Sequence, residues 1–192
     1  MKAKVLLRYA FFGLSVAVLS ACQTVDRLQL KKIKETPETR NHALIYCSGT
    51  LNCEFERFDE HPIVDAQSRR LDQRAIKQGI VRLNAGSLKD PQALYLSVPA
   101  GLHEVVVRFY PISEEKAETI NVIHRFEAKK DYRFLMFRDR SSGKKSLLDA
   151  SAPEPLCVDL LQEQQTIRRF CKPYNVLNGL GEFVEQKNLK TR

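Results

Sequence analysis

The residues whose types could do chemistry are four histidines, a few adjacent carboxylates and three clusters of cations. The histidines are His42, His61, His103 and His124. His103 shares strand parity with Val105, and His124 with Val122 and Phe126, so both fall at a core edge on neighbouring strands. A turn centred near Glu115 places His103 across from Glu127 and His124 across from Val106, about three positions apart and a poor start for two ligands of one ion. Hydrogen-bonded structural histidines are therefore expected, with no metal and no cofactor. Glu114-Glu115 and Asp59-Glu60 are adjacent carboxylates in turns, where solvated charge is commoner than a catalytic acid pair. Serine in a nucleophile elbow is absent, and Gly179-Leu180-Gly181 lacks the lysine and the strand-to-helix setting of a phosphate loop. No catalytic residue is expected from this inventory.

The cations are the stronger feature. Arg69, Arg70, Arg74 and Lys77 form one cluster. Arg138, Arg140, Lys144 and Lys145 flank the loop Ser141-Ser142-Gly143, and Arg168, Arg169 and Lys172 close the last apolar segment. Exposed cations around a short polar loop can meet an acidic surface without desolvation, which makes Arg138, Arg140, Lys144 and Lys145 the first candidates for partner binding. Sugar binding is disfavoured by the absence of tryptophan, although tyrosine or phenylalanine can supply a stacking surface.

The N-terminus gives these residues a compartment. Lys2, Lys4 and Arg8 precede the apolar or small run Tyr9 to Val18, which ends in Leu19-Ser20-Ala21-Cys22. The run is too short for a comfortable transmembrane helix. The segment resembles the signal peptides of bacterial lipoproteins, with Leu19–Cys22 as the lipobox. That resemblance implies removal of residues 1–21 and acylation of Cys22, with diacylglycerol on the thiol and a further chain such as palmitate on the freed amine. Glutamine rather than aspartate at position 23 implies passage to the outer membrane, most naturally facing the periplasm. Cleavage lowers the formal charge of +8 by three, to +5. In such an envelope location a nucleic-acid partner is not expected; an acidic envelope protein or anionic lipid headgroups fit better.

In an oxidising compartment Cys47, Cys53, Cys157 and Cys171 read as two disulfides. Cys47 and Cys53 flank the turn Ser48-Gly49-Thr50-Leu51-Asn52, and a bridge across its mouth is easy. Val158-Asp159-Leu160-Leu161 and Ile167-Arg168-Arg169-Phe170 fold back about Gln164, which puts Cys157 opposite Cys171 and Asp159 opposite Arg169. The competing reading is a helix from Pro155 through Arg169, favoured by Gln162-Glu163-Gln164-Gln165. It separates Cys157 from Cys171 by about 21 Å and requires crossed pairing.

Positioning elements follow from periodicity. Residues 22–42 are charged and poor in core residues, and read as a tether. Residues 43–172 read as one domain, because roughly 170 residues suffice to bury a single core, and residues 173–192 as a tail. Candidate strands are Leu44–Cys47, Cys53–Phe58, Ile80–Asn84, Ala93–Val98, His103–Tyr110, Ile120–Ala128, Tyr132–Arg138 and the Cys157 hairpin. Val105, Val107 and Phe109 alternate with Glu104 and Arg108, and Ile120, Val122 and Phe126 with Asn121, Arg125 and Glu127, so one face of that hairpin is core. Phe134-Leu135-Met136-Phe137 is unbroken, as expected of a strand covered on both faces. One helix is predicted between Ser68 and Gln78, with Gly79 as its stop. The fold class is mainly β, a two-layer β-sandwich with one short helix.

Val98-Pro99-Ala100-Gly101-Leu102-His103-Glu104-Val105, followed by Phe126-Glu127-Ala128 and Asp131-Tyr132-Arg133-Phe134, resembles the turn-and-strand pattern of prealbumin- or transthyretin-like envelope domains of the PEGA type. Asp131 departs from it, standing where a glycine is common. The resemblance implies a fold and an envelope location and no reaction. The expected function is a non-enzymatic outer-membrane lipoprotein whose periplasmic sandwich binds or braces another envelope component. One alternative is an accessory lipoprotein of a secretion or transport complex, although the motifs of such proteins are not found here. Another is a cell-wall or lipid hydrolase. Converging His, Ser or carboxylate groups in a pocket favour the hydrolase; a filled core with an open sheet edge favours the binder.

Overall fold

The computed structural model describes residues 28–84, 93–140, 154–172, 181–187 and 189. Every candidate strand is a strand. Along the chain they are β1 (Ala43–Ser48), β2 (Cys53–Phe58), β3 (His61–Pro62), β4 (Val81–Leu83), β5 (Leu94–Val98), β6 (Gly101–Ser113), β7 (Lys116–Phe126), β8 (Asp131–Arg138), β9 (Leu156–Gln162), β10 (Gln165–Lys172) and β11 (Val184–Glu185). They form a seven-stranded sheet in the order β11-β10-β9-β8-β1-β5-β4 and a four-stranded sheet in the order β3-β2-β6-β7. The two stack as a β-sandwich. All pairings are antiparallel except β1 with β8, where Tyr46 pairs with Arg133. Among the described residues no helix is long and apolar enough to cross a membrane.

Alternation places the core. Val105, Val107 and Phe109 of β6 and Ile120, Val122 and Phe126 of β7 are buried against Ile45, Leu96, Phe134, Met136 and Leu160 of the larger sheet. At roughly 25 cal/mol per Å² of apolar surface, this interface is the main stabilising term. The Phe134–Phe137 run departs from expectation. Phe134 and Met136 are fully buried, whereas Leu135 and Phe137 are half-buried on the other face, where Arg169 lies over the Phe137 ring at 5.2 Å. Arg108, placed by parity on the solvent side, is 4% exposed together with Val106 and Tyr110, because residues 63–72 fold over that half of the sheet.

Both disulfides pair as the local reading has them. Cys157 and Cys171 face each other across β9 and β10, with Asp159 opposite Arg169 on the same face and Arg169 Nε 2.6 Å from Asp159 Oδ1. The helix over Pro155–Arg169 is thereby excluded. Cys47 bonds Cys53, but not within a hairpin: β1 belongs to the larger sheet and β2 to the smaller. The bridge ties the two layers at a corner.

The predicted helix shrinks to α2 (Gln73–Lys77), α1 being residues 28–32. Asp72 caps α2 by accepting from the Arg74 and Ala75 N–H groups. Upstream, the Asp65 carboxylate accepts from the Ser68 and Gln67 N–H groups and the Ser68 hydroxyl, a turn that competes with helix for the same donors. Residues 28–42, expected in the tether, lie on the sandwich. Leu30 is 4% exposed within the core, Ile33 packs against it, and the His42 ring meets Ser97. At the other end β11 and Phe183 dock on the domain although the tail was expected from 173 onwards.

Candidate functional site

Cys22, Lys144 and Lys145 lie outside the described residues. Arg138 and Arg140, at the end of β8, both meet Glu154: Arg138 Nη1 donates to its carbonyl oxygen at 3.2 Å and Arg140 Nε lies 3.6 Å from its carboxylate. The Arg140 side chain is nevertheless 83% exposed, so it is the accessible member of the pair. The cations of the last hairpin do not form an open patch. Arg168 pairs with Glu185, Arg169 with Asp159 and Lys172 with Glu118, each at 2.6 Å.

The register of β6 and β7 differs from the expected one. Phe109 pairs with Glu118 while Ser113 pairs with Lys116, an irregularity that puts His103 directly across from His124. The two rings still do not converge on one point. His103 is held between the Asp59 carboxylate (2.8 Å) and the Pro99 carbonyl (3.1 Å), beside the Phe58 ring. His124 is set edge-on to Phe126 and Tyr132, and burial, with Arg168 nearby, pushes its pKa below the ordinary value. Among the described residues no group of three or more His, Cys, Asp or Glu could hold a metal ion.

The other face of β6 carries a buried charged network. Glu54 accepts from the Tyr110 hydroxyl and lies 3.1 Å from Arg108 and 3.3 Å from Arg69, whose guanidinium stacks over the Tyr110 ring at 4.6 Å. Burial and the adjacent Glu54 carboxylate push the Tyr110 hydroxyl up to about 12, so it stays a donor. Arg69 has φ 55°, a left-handed conformation costing on the order of 1 kcal/mol. This network fastens the 63–72 segment to the sheet.

The open feature of the smaller sheet is β7. It is an edge strand of eleven residues, paired with β6 on one side. Arg168 Nη1 donates to the Ile123 carbonyl oxygen at 2.6 Å, which shows that this oxygen points away from β6. In an antiparallel strand a residue's N–H and C=O point to the same side and successive residues alternate. Thr119, Asn121 and Arg125 therefore also turn their backbone groups outward. The outward groups of Thr119 and Asn121 face a groove of about 450 Å³, lined by Glu118, Thr119 and Asn121 on one side and by Phe170, Lys172 and Phe183 on the other. Among the described residues no backbone partner meets them.

On the larger sheet a row of side chains crosses five adjacent strands: Arg82 on β4, Tyr95 on β5, Tyr46 on β1, Arg133 on β8 and Leu161 on β9. The Tyr46 and Tyr95 rings stack at 5.2 Å, and the Arg133 guanidinium sits over Tyr46 at 5.6 Å. Burial first, then the neighbouring Asp131, pushes the Tyr46 hydroxyl up to about 12. Beside it opens a hollow of about 500 Å³ whose wall is the turn Glu163-Gln164. That turn has φ 49° and 73°, values normally filled by Asn-Gly in a two-residue hairpin loop. Sequence reading missed this row because the parallel pairing of β1 with β8 leaves no local signal. Its one legible trace is that Tyr46 and Tyr95 each follow core parity by one step.

Compared with protein-family models, with curated proteins and with solved structures, the chain matches none.

Proposed function

We propose that the chain is an outer-membrane lipoprotein, acylated on Cys22, whose sandwich binds an extended segment of another envelope protein along the free edge of β7. The observation that carries this reading is the groove beside Thr119 and Asn121. It offers backbone donors and acceptors without a backbone partner among the described residues on one wall and, on the other, the half-buried Phe183 ring beside the edge of the buried Phe170 ring, with the Lys172–Glu118 ion pair crossing between the walls. An added strand would gain main-chain hydrogen bonds from β7 and bury alternate side chains against those rings. A volume near 450 Å³ suits a few residues of extended chain, at about 3.3 Å of rise each. The lipid on Cys22 would hold this groove near the membrane, and one acyl chain alone binds only marginally, so the multiple chains implied by the lipobox matter.

Two substitutions test the reading. Thr119→Pro removes an outward N–H without touching the β6 ladder, a position where an edge strand tolerates proline. A photo-crosslinking residue at Asn121 in intact cells is expected to yield a discrete protein adduct, lost when Thr119→Pro is combined with it while the melting temperature is kept. A chain that gives no adduct from Asn121, or the same adduct with Thr119→Pro, overturns the strand-addition reading. Cys22→Ser is expected to abolish metabolic acyl labelling and release the protein from membranes; a variant that remains labelled and membrane-bound overturns the anchor.

A further inference from the structure

The hollow beside Tyr46 lies on the opposite layer from β7 and is built differently. Its floor is formed by β1 and β8, both interior strands of the larger sheet. Their backbone groups are engaged in the ladders on either side. No added strand can pair there, so a ligand must be recognised by side chains alone.

Those side chains have a specific balance. Asp131 supplies a carboxylate that receives no hydrogen bond from the described residues, and Arg133 a guanidinium that meets the Tyr46 ring without a carboxylate partner among them. Asn84 and Gln164 add amides with both donor and acceptor, and the Tyr46 hydroxyl remains a donor at any physiological pH. Leu161 and the tyrosine ring edge supply the apolar part. An anionic ligand would meet Asp131 and Glu163, and a cationic one would meet Arg133. A neutral polyhydroxylated ring suits such a set, because each hydroxyl both donates and accepts and vicinal hydroxyls match the fork of a carboxylate, amide or guanidinium.

Part of the site is preorganised. Arg133 is stacked on Tyr46, which is stacked on Tyr95, so neither Tyr46 nor Arg133 stands alone. The wall is locked to the floor: the Glu163 N–H donates to the Asp131 carbonyl at 2.9 Å, and the Asp131 N–H to Glu163 Oε1 at 3.2 Å. Tyr46, Arg133 and the Glu163–Asp131 junction are thus set before binding, whereas the exposed Asn84 and Gln164 side chains are ordered by the ligand. The geometry points to a binding site for a neutral saccharide in this hollow, formed by Asn84, Asp131, Arg133 and Gln164 around Tyr46. The assignment is independent of strand addition at β7, and it runs against the expectation drawn from the lack of tryptophan: Tyr95 and Arg133 flank the Tyr46 ring from the strands on either side, so recognition rests on the polar side chains and the ring edge.

The test is calorimetric titration of the full-length chain in detergent with chitotetraose and cellotetraose, neutral saccharides with and without acetamido groups, and with trialanine as a zwitterionic peptide. Saturable binding of either saccharide is expected. It should weaken at least about tenfold, roughly 1.4 kcal/mol, in Asp131→Asn and in Asn84→Ala, and remain unchanged in Thr119→Pro. Asn84→Ala lies beyond the end of β4, so it keeps the test decisive if Asp131→Asn fails to fold. The saccharide that binds more tightly shows whether an acetamido group is read. Absence of saturable binding of both saccharides up to about 10 mM, a range that covers weak sugar affinities, overturns the assignment. So does binding that both variants leave intact, and so does trialanine binding lost in the same variants, which would make the hollow a peptide site.

Discussion

Arg168 reaches from β10 of one sheet to the Ile123 carbonyl oxygen on β7 of the other, and the same guanidinium grips Glu185 of β11 with two bonds of 2.6 Å. One side chain thus joins the edges of both layers. Natural sheets blunt exposed edges with charged side chains, and here the charge occupies the outward carbonyl next to the groove, while the outward backbone groups of Asn121 and Thr119 have no backbone partner among the described residues.

Replacing Arg168 by alanine is accordingly expected to open the edge. Self-association of the purified chain should rise with concentration in sedimentation velocity, while thermal stability falls by about 1 kcal/mol for the lost, partly exposed ion pair. A variant that stays monomeric at all concentrations would show that Arg168 does not guard β7.

The disulfides should differ in what they hold. In the chain-entropy account, loss of Cys157–Cys171, which closes the longer loop, costs about 3 kcal/mol and loss of Cys47–Cys53 about 2 kcal/mol. Because Cys47–Cys53 spans the two layers, its removal should also raise hydrogen exchange in both β1 and β2, whereas removal of Cys157–Cys171 should affect the β9–β10 hairpin and spare the smaller sheet. Paired serine variants measured by denaturant titration and exchange mass spectrometry check both statements.

Acid should weaken the seam where Arg168 joins β7 to β11. Burial depresses the pKa of His124, so below about pH 6.5 the unfolded chain takes up a proton that the folded one resists. The stability His124 contributes is complete above that value and is lost as pH falls towards its folded pKa. The Arg168 hydrogen bonds hold the Glu185 carboxyl below its usual range, so its contribution is present above the ordinary glutamate value and disappears at still lower pH. Melting temperature against pH should show two descending limbs. His124→Phe should flatten the upper one and Glu185→Gln the lower.

Among the cations at the end of β8, Arg140 is exposed whereas Arg138 donates to a backbone carbonyl. Arg140→Glu is expected to reduce recovery of a crosslinked acidic partner at low salt, with the difference shrinking as salt screens exposed charges beyond about 8 Å. Arg138→Glu should lower the melting temperature as well. Equal recovery for Arg140→Glu and the parent chain would mark this side chain as a solvated surface charge.

What could be read in the sequence was whatever is local. Cys157 opposite Cys171 and Asp159 opposite Arg169 follow from a fold-back whose two arms are symmetric about Gln164, and the structure has that register. The core faces of β6 and β7 follow from period-two alternation. The pairing of His103 with His124 did not, because it depends on an irregularity between Phe109 and Ser113 that hydrophobic pattern does not encode. Nor did the layer change between Cys47 and Cys53: a short turn between two strands reads as a hairpin whether the second strand pairs with the first or leaves for the other sheet. The burial of Arg108 and the Tyr46–Arg133 row arise from segments distant in sequence, so no window contains them.

The parallel pairing of β1 with β8 governs when this domain can exist at all. Leu44 is aligned with Asp131, so β1, an interior strand of the larger sheet, receives its second neighbour only after most of the chain has been made. Closing so long a loop is slow and brings little reward until it is complete. The first 130 residues therefore hold an incomplete larger sheet, whereas the smaller sheet lies wholly within residues 53–126. Completion of the larger sheet is then a late event that waits for β8, and a chain cut short ahead of residue 131 leaves β1 with a bare edge where β8 belongs.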